Sequence, residues 1–315
     1  FDPFTLILQL LDKGNDIFTG GREYYNHPNY KKEDKPTIIH QSSATGMQAI
    51  PTTGIAQGLK FLAQTNNTLL KKGPGGEMPV VICSLGDASV TEGEVSEAFQ
   101  FAALHQLPII YLVQDNDWGI SVTGSEARTT TAFEFIEGFK GIERVTVDGS
   151  NFEESFNVMQ QTIAAVRKNR KPWLVHAKVP LLGHHTSGVR KETYRSNEDL
   201  QKHFANDPVE KLKNQLLQSG INAEELEKIE EGTKLSVQEA FEKTVASPEP
   251  DAATVSEHIF KMLAIIEEKG ERSPAANKKI VMVDAALFAI REIMEDHPEA
   301  LLYGQDVGRR LGGVF

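Results

Sequence analysis

Short continuous apolar runs alternate along this chain with stretches of helical period. Val80-Val81-Ile82-Cys83 and Ile109-Ile110-Tyr111-Leu112-Val113 are brief and rich in β-branched residues, the pattern of strands buried on both faces of a parallel sheet. Between them, Ala98, Phe99, Phe101, Ala102 and Leu104 predict the apolar face of a helix, which Pro108 stops. Glu143 to Val147 and Trp173 to Lys178 read as a third and a fourth strand, separated by a helix from Phe152 to Arg170. Strands and helices in this alternation predict an α/β fold, a parallel sheet with helices on both faces.

Further helices are expected on either side. Residues 3–13 have helical period, with Pro3 in the first turn and Gly14 beyond the end. A second helix is expected from about Pro51 to Leu70, where the small segment Gly54 to Gly58 lets another backbone come close. Phe133 to Lys140 predicts a short helix. Asp207-Pro208 opens one that runs to about Gln218, and residues 222–246 form a charged amphipathic one. Residues 18–41, 71–76 and 123–131 read as irregular or polar loop, and Ser247-Pro248-Glu249-Pro250 is a break. The expected organisation is a domain over 1–250, a linker over 251–278 with one helix near Ser256 to Glu267, and a helical C-terminal extension over 279–315. In that extension Lys279 to His297 reads as helix and Ala300 to Gly304 as strand.

Composition narrows the function classes. The 315 residues carry a formal net charge of −11, which argues against nucleic-acid binding through basic patches. No apolar run reaches the length of a membrane span and no signal peptide is visible. Cys83 is the single cysteine, so an intrachain disulfide and a cysteine metal cluster are excluded, and a reducing, cytoplasmic location is expected. The chain opens on Phe1 and stops at Phe315 in mid-element, which leads us to expect part of a longer protein.

The candidate chemistry lies where the first two strands end, at Leu85-Gly86-Asp87-Ala88 and at Gln114-Asp115-Asn116-Asp117-Trp118-Gly119. Ligands of open α/β sheets bind at the carboxyl ends of strands. The Asp87 carboxylate, the Asn116 amide oxygen and a main-chain carbonyl just beyond would give Mg²⁺ hard oxygen donors, completed by a diphosphate and water. Gly86 lets backbone approach the phosphates. Asp or Asn after a strand is also ordinary loop chemistry. Asp87 is expected outside the core. A second stretch, Val179 to Asn197, follows the fourth strand and holds His184-His185. Adjacent histidines point apart, so no shared metal is expected, but a histidine proton moves near neutral pH.

Gly86-Asp87-Ala88 followed by Asp115-Asn116, with 26 residues between Ala88 and Asp115, resembles the thiamine diphosphate motif, a Gly-Asp-Gly that leads to Asn-Asn. The run Gly86 to Glu94, the Ala-Ala-Leu before Pro108, Trp118-Gly119-Ile120-Ser121 and the loop Gly183-His184-His185-Thr186 with Tyr194-Arg195-Ser196 resemble the α subunit of the first component of the 2-oxoacid dehydrogenase complexes. The branched-chain type is the most similar. This resemblance spans most of residues 3–245, and the segment from Lys279 onward resembles the start of the family's β subunit.

The resemblance implies a thiamine diphosphate-binding fold with thiamine diphosphate and Mg²⁺ as cofactors. It implies oxidative decarboxylation of a 2-oxoacid, with acyl transfer to the lipoyl group of an acyltransferase component. By match of motif, Asp87, Asn116 and the Trp118 carbonyl would hold Mg²⁺. Gly86, Ala88, Ser89, Gln114 and Ile120 would line the cofactor. His185 would face its phosphates and aid acyl transfer. Ser43 and Thr45 would contact either the diphosphate–thiazole side or the aminopyrimidine, though both also suit a simple helix entry. Implied partners are a β-type domain of the same or a second chain, as a homodimer of a fused chain or a heterotetramer, and the lipoylated acyltransferase.

The sequence departs from the family pattern at several positions. Ala88 replaces the motif glycine and Asp115 the first asparagine. Gln114 stands where some relatives have an arginine on the phosphate, so affinity is expected to lean on residues outside this chain. Thr186 replaces a serine that some members phosphorylate. The substrate pocket is not assignable from these residues, so they do not fix which 2-oxoacid is used. A transketolase or decarboxylase is disfavoured by the loop Gly183 to Ser196. The rival of a different class is a non-catalytic α/β assembly module.

Overall fold

In the computed structural model, Val81–Gly86 (β1) and Ile109–Asp115 (β2) lie side by side and parallel, in register Val81 with Ile109 through Gly86 with Gln114. Trp173–Lys178 (β6) pairs with the other edge of β2, and Glu143–Asp148 (β5) with β6, giving a parallel sheet of order β1-β2-β6-β5. A separate antiparallel hairpin joins Trp118–Gly119 (β3) to Val122–Thr123 (β4). The helices are Pro3–Leu10 (α1), Ala49–Gln64 (α2), Gly93–His105 (α3), Gly124–Ala127 (α4), Ala132–Phe135 (α5), Phe152–Asn169 (α6), Asn197–Phe204 (α7), Pro208–Gln218 (α8), Ala223–Val245 (α9) and Met282–Asp296 (α10). The structure describes residues 2–22, 27–32, 35–40, 42–65, 68–186, 188–257, 259–260, 271, 275–304 and 307.

Each face of the sheet has its own core. Ile109, Tyr111 and Val113 of β2 point to one face and join Cys83, Leu85 and Leu174 under α2, α3 and α5. Ile110, with Val147, Val175 and Ala177, points to the other, where Val166 of α6 covers them. This period-two division explains why β2 is apolar at every position from Ile109 to Val113. β1 differs from the expectation of burial on both faces. Cys83 and Leu85 are buried, but Ile82 is 46% exposed and Ser84 and Gly86 are exposed. It is the outer strand of this sheet, and the core under α6 draws on β2, β5 and β6 but not on β1. Burial pushes the Cys83 thiol up to about 12, as suits a small core residue rather than a reactive thiol.

The stripe of α3 is Val95, Ala98, Phe99 and Ala102, spaced as one helix face. Leu104, expected on that face, is 70% exposed because it falls on the opposite side. The helix ends before Pro108. Gln106 takes φ 47°, its N–H donates to Ala103 O at 3.3 Å, and Leu107 N–H donates to Ala102 O at 3.1 Å, a Schellman closure built without glycine. α2 stops at Gln64, short of Leu70. Residues 123–131, expected as loop, contain α4, and α7 was not anticipated.

The chain divides into two compact units, residues 1–61 with 71–255, and residues 62–70 with 256–315. In the first, α9 packs against α1, with Lys243 over the Phe4 ring at 4.1 Å and Lys13 ion-paired to Glu249. In the second, α10 lies within the expected helix from Lys279, whereas Ala300 to Gly304 forms no strand. The helix expected near Ser256 to Glu267 falls mostly outside the described residues. Among the described residues no helix is long and apolar enough to cross a membrane.

Phe99 anchors the larger core, edge-on to Tyr111 at 4.7 Å and to Phe139 at 5.5 Å. Phe99→Ala is expected to cost about 3–5 kcal/mol by urea unfolding. A loss below about 1 kcal/mol would mean that this cluster does not organise the fold.

Candidate active site

Parallel pairing places the ends of β1 and β2 at one edge, and the residues after them meet there. Asp87 opens a turn of 3-10 helix, Asp87–Ser89, directly after β1. Its Oδ1 accepts the Asn116 N–H at 3.3 Å. Ser89 is buried, and its hydroxyl donates to the Gly86 carbonyl at 2.7 Å, closing that turn. Gly119 packs on Ala88, where an added Cβ would come within 3.1 Å of the alanine methyl. The expected juxtaposition of Gly86, Asp87, Ala88, Ser89, Asn116 and Trp118 is therefore present. Asp87 was expected outside the core, yet it is 2% exposed. The hairpin and its following helix cover it, and neither was anticipated.

The hairpin is fixed by its own polar groups. Asn116 Oδ1 accepts the Trp118 N–H at 2.9 Å, and Asp117, at φ 63°, accepts the Gly124 N–H on Oδ1 at 3.1 Å. Thr123 and Glu126 form a capping box that starts α4. Ile120 begins the two-residue turn at φ 63° and is 44% exposed. A β-branched residue is rarely found there, and such strain gathers at functional sites.

Two buried partners were missing from the sequence reading. Arg128 follows α4, and its Nη2 donates to Asp87 Oδ2 at 2.7 Å, the two side chains being 7% and 2% exposed. His176 of β6 lies 2.6 Å through Nε2 from Asp115 Oδ2. Asp115 Oδ1 also accepts the Asp117 N–H at 3.0 Å. Burial, then the Asp115 charge, pushes the Asp87 carboxyl above the usual range, and Arg128 and the Asn116 N–H do not bring it back. Burial acts on Asp115 too, but the His176 hydrogen bond, the Asp117 N–H and the charges of His176 and Arg128 outweigh it and hold Asp115 low. Only register points to the His176 pair. Val113 faces His176 across β2 and β6, and Asp115 lies two residues on, on the same face. Arg128 has no local signal.

The second loop is brought to the hairpin by Tyr194 and Arg195. The Trp118 ring lies 5.7 Å from Tyr194 and 5.2 Å from the Arg195 guanidinium. Arg195 donates to Leu181 O at 2.9 Å and to Asp199 at 2.5 Å, which ties this loop to α7. His184 Nδ1 accepts the Lys191 N–H at 3.2 Å. His185 is exposed. Ser43 and Thr45 are exposed beside the entry of α2. There Gln48 donates to Ser84 O at 3.0 Å, and an added Cβ on Gly46 would meet Val95 at 3.1 Å. No hydrogen bond or ion pair among the described residues joins Ser43, Thr45 or His185 to Asp87 or Asn116. Gln114 is exposed and accepts from the Ser84 hydroxyl at 2.9 Å.

This donor set fits a hard cation. Asp87 contributes a buried carboxylate and Asn116 an amide oxygen at the same strand edge, already accepting from Arg128 and from the Trp118 N–H respectively. Among the described residues no group of three or more His, Cys, Asp and Glu side chains is placed to hold a metal ion.

The Dehydrogenase E1 component family matches residues 10–253. The chain is 30% identical over 211 residues to the pyruvate dehydrogenase E1 component subunit alpha of Rickettsia bellii, which covers 65% of this chain and 60% of that one. It is 28% identical over 198 residues to the mitochondrial 2-oxoisovalerate dehydrogenase subunit alpha of Pan troglodytes, covering 62% of this chain and 44% of that one. The chain thus spans at most about 60% of the length of these curated relatives. Among solved structures, transketolase from Campylobacter jejuni matches with a TM-score of 0.40 at 20% identity, over 54% of this chain and 26% of that one.

Removing the Asp87 carboxylate leaves the Arg128 guanidinium buried without its counter-charge. Asp87→Ala is therefore expected to cost about 3–5 kcal/mol in urea unfolding, with much of the loss recovered in the Asp87→Ala/Arg128→Met double variant. Additive losses would show that the two side chains do not depend on one another.

Proposed function

The chain belongs to the dehydrogenase E1 component family, and from that premise we propose that its carboxyl edge holds thiamine diphosphate through Mg²⁺ for the oxidative decarboxylation of a 2-oxoacid. The observation that carries this reading is the meeting of Asp87 and Asn116 beyond adjacent parallel strands, where the Asn116 N–H donates to Asp87 Oδ1. In this proposal Asp87, Asn116 and the Trp118 carbonyl bind the metal. Gly86, Ala88, Ser89, Gln114 and Ile120 line the cofactor, and Ser43 and Thr45 approach it from the entry of α2.

Bound thiamine diphosphate supplies a cationic ring that takes up the electrons left when carbon dioxide departs. The chain's own contribution is to bind, orient and shield. The capped hairpin holds Asn116 and Trp118 in place, so little ordering remains when a ligand arrives. Ile120, strained and half-exposed at the hairpin tip, offers an apolar edge against a ring. In the proposal His185, exposed on the loop that Arg195 anchors, faces the diphosphate and aids acyl transfer.

Relatives named for pyruvate and for 2-oxoisovalerate match at similar identity. We favour the branched-chain acid, from the likeness of the residues around Trp118 and His185 to that type. The proposal includes a β-type domain that completes the site, a lipoylated acyltransferase that accepts the acyl group, and a cytoplasmic location.

The test is carbon dioxide release by the full assembly with 3-methyl-2-oxobutanoate or pyruvate. Release is expected to require thiamine diphosphate and Mg²⁺, to be faster with the branched acid, and to need about tenfold more cofactor after Asn116→Ala. Faster release from pyruvate would overturn the substrate choice. Release without the cofactor would overturn the function.

A further inference from the structure

Arg128 is held in place as a functional cation would be. Its guanidinium lies against Gly124, where an added Cβ would come within 2.5 Å of Nη2, and the Thr123–Glu126 capping box sets the helix that leads to it. Nη2 is spent on Asp87 at 2.7 Å. Nε is buried within the same 7% exposed side chain and has no hydrogen-bond partner. A guanidinium is a planar fork of donors suited to bidentate recognition of phosphate oxygens, and a buried donor of this kind left unpaired is costly.

We propose that Arg128 is the diphosphate-binding cation of this site, holding Asp87 until a metal takes that carboxylate and then donating to a diphosphate oxygen. This inference rests on the reading of the site given above. Its consequence is a coupling between metal and anion. A divalent cation arriving alone must displace the guanidinium from Asp87 and strand it. A cation arriving with a diphosphate brings the displaced guanidinium a new partner. Arg128 also places a charged donor at the same strand edge as Gln114, whose neutral amide oxygen is engaged by Ser84.

The experiment compares the wild-type full chain with Arg128→Gln and Arg128→Lys. Binding of Mn²⁺ alone is read from the paramagnetic signal of the free ion, and binding of Mg²⁺–thiamine diphosphate by calorimetry. Circular dichroism confirms that each variant is folded. Arg128→Gln is expected to bind Mn²⁺ alone about threefold more tightly, because its competitor is gone, and Mg²⁺–thiamine diphosphate about tenfold more weakly. Arg128→Lys, which keeps the charge and loses the fork, should lose less for the diphosphate complex. A purely structural arginine would weaken both ligands together or neither, and either result overturns the proposal. If Arg128→Gln does not fold, Arg128→Lys decides: weakened diphosphate binding with undiminished Mn²⁺ binding supports the proposal, and unchanged diphosphate binding overturns it. If the wild-type chain binds no Mg²⁺–thiamine diphosphate, the reading of the site falls and this inference with it. If the wild type binds it and Arg128→Gln binds it equally well, the inference alone falls.

Discussion

Parallel pairing of β1 with β2 brings two strand ends to the same edge, where Asp87 follows β1 directly and Asp115 ends β2. Asp87 is buried and Asp115 nearly so, and the Asp115 charge adds to the cost that burial places on charging Asp87. The rest of the edge answers that constraint. His176 takes Asp115, Arg128 takes Asp87, and the Asn116 and Asp117 N–H groups donate to what remains. The hairpin between β3 and β4 is folded by the same groups, since Asn116 and Asp117 spend their side chains on its backbone. Charge neutralisation and loop geometry are thus one problem with one solution.

The sheet supplies the rigidity this edge requires. Tyr111, 0% exposed, donates to Ala98 O at 3.2 Å and lies 2.7 Å from the Thr53 hydroxyl, linking β2 to both α2 and α3. These helices cannot shift without breaking buried hydrogen bonds, which are expensive to leave unmade. A site on such strands is held more firmly than one carried on loops alone. The second loop has a different support. Its side chains Tyr194 and Arg195 reach Trp118, while His185 stays exposed.

What could be read from the sequence was set by local order. β6 begins where Pro172 ends the preceding connection, and α9 starts after the side-chain cap of Asn222, so both elements lie where periodicity and capping put them. The same signals were present for α4 in Thr123 and Glu126, and for α7 in Ser196, whose hydroxyl accepts the Asp199 N–H at 3.2 Å. Their short lengths hid them among polar residues. The hairpin had no glycine or asparagine in its turn, and Ile120 is a residue that the turn's backbone disfavours. Asp87 and Asn116 were recognisable because each follows a strand directly. Arg128 lies 41 residues from Asp87, and His176 lies 61 from Asp115. Pairs set by tertiary folding leave no periodic trace. The exposed face of β1 escaped for the same reason, since strand order decides which strand is outermost.

The edge beyond β1 and β2 is proposed to take a metal and a diphosphate together, against Trp118. The chain has two tryptophans, Trp118 and Trp173, so Trp173→Phe leaves Trp118 as the single indole reporter. The most direct measurement is its emission during titration with thiamine diphosphate in the presence and absence of Mg²⁺, with thiamine as the control. Saturable quenching that needs both the diphosphate and the metal is expected. Emission unchanged by the complete mixture, or quenched equally by thiamine alone, would contradict it.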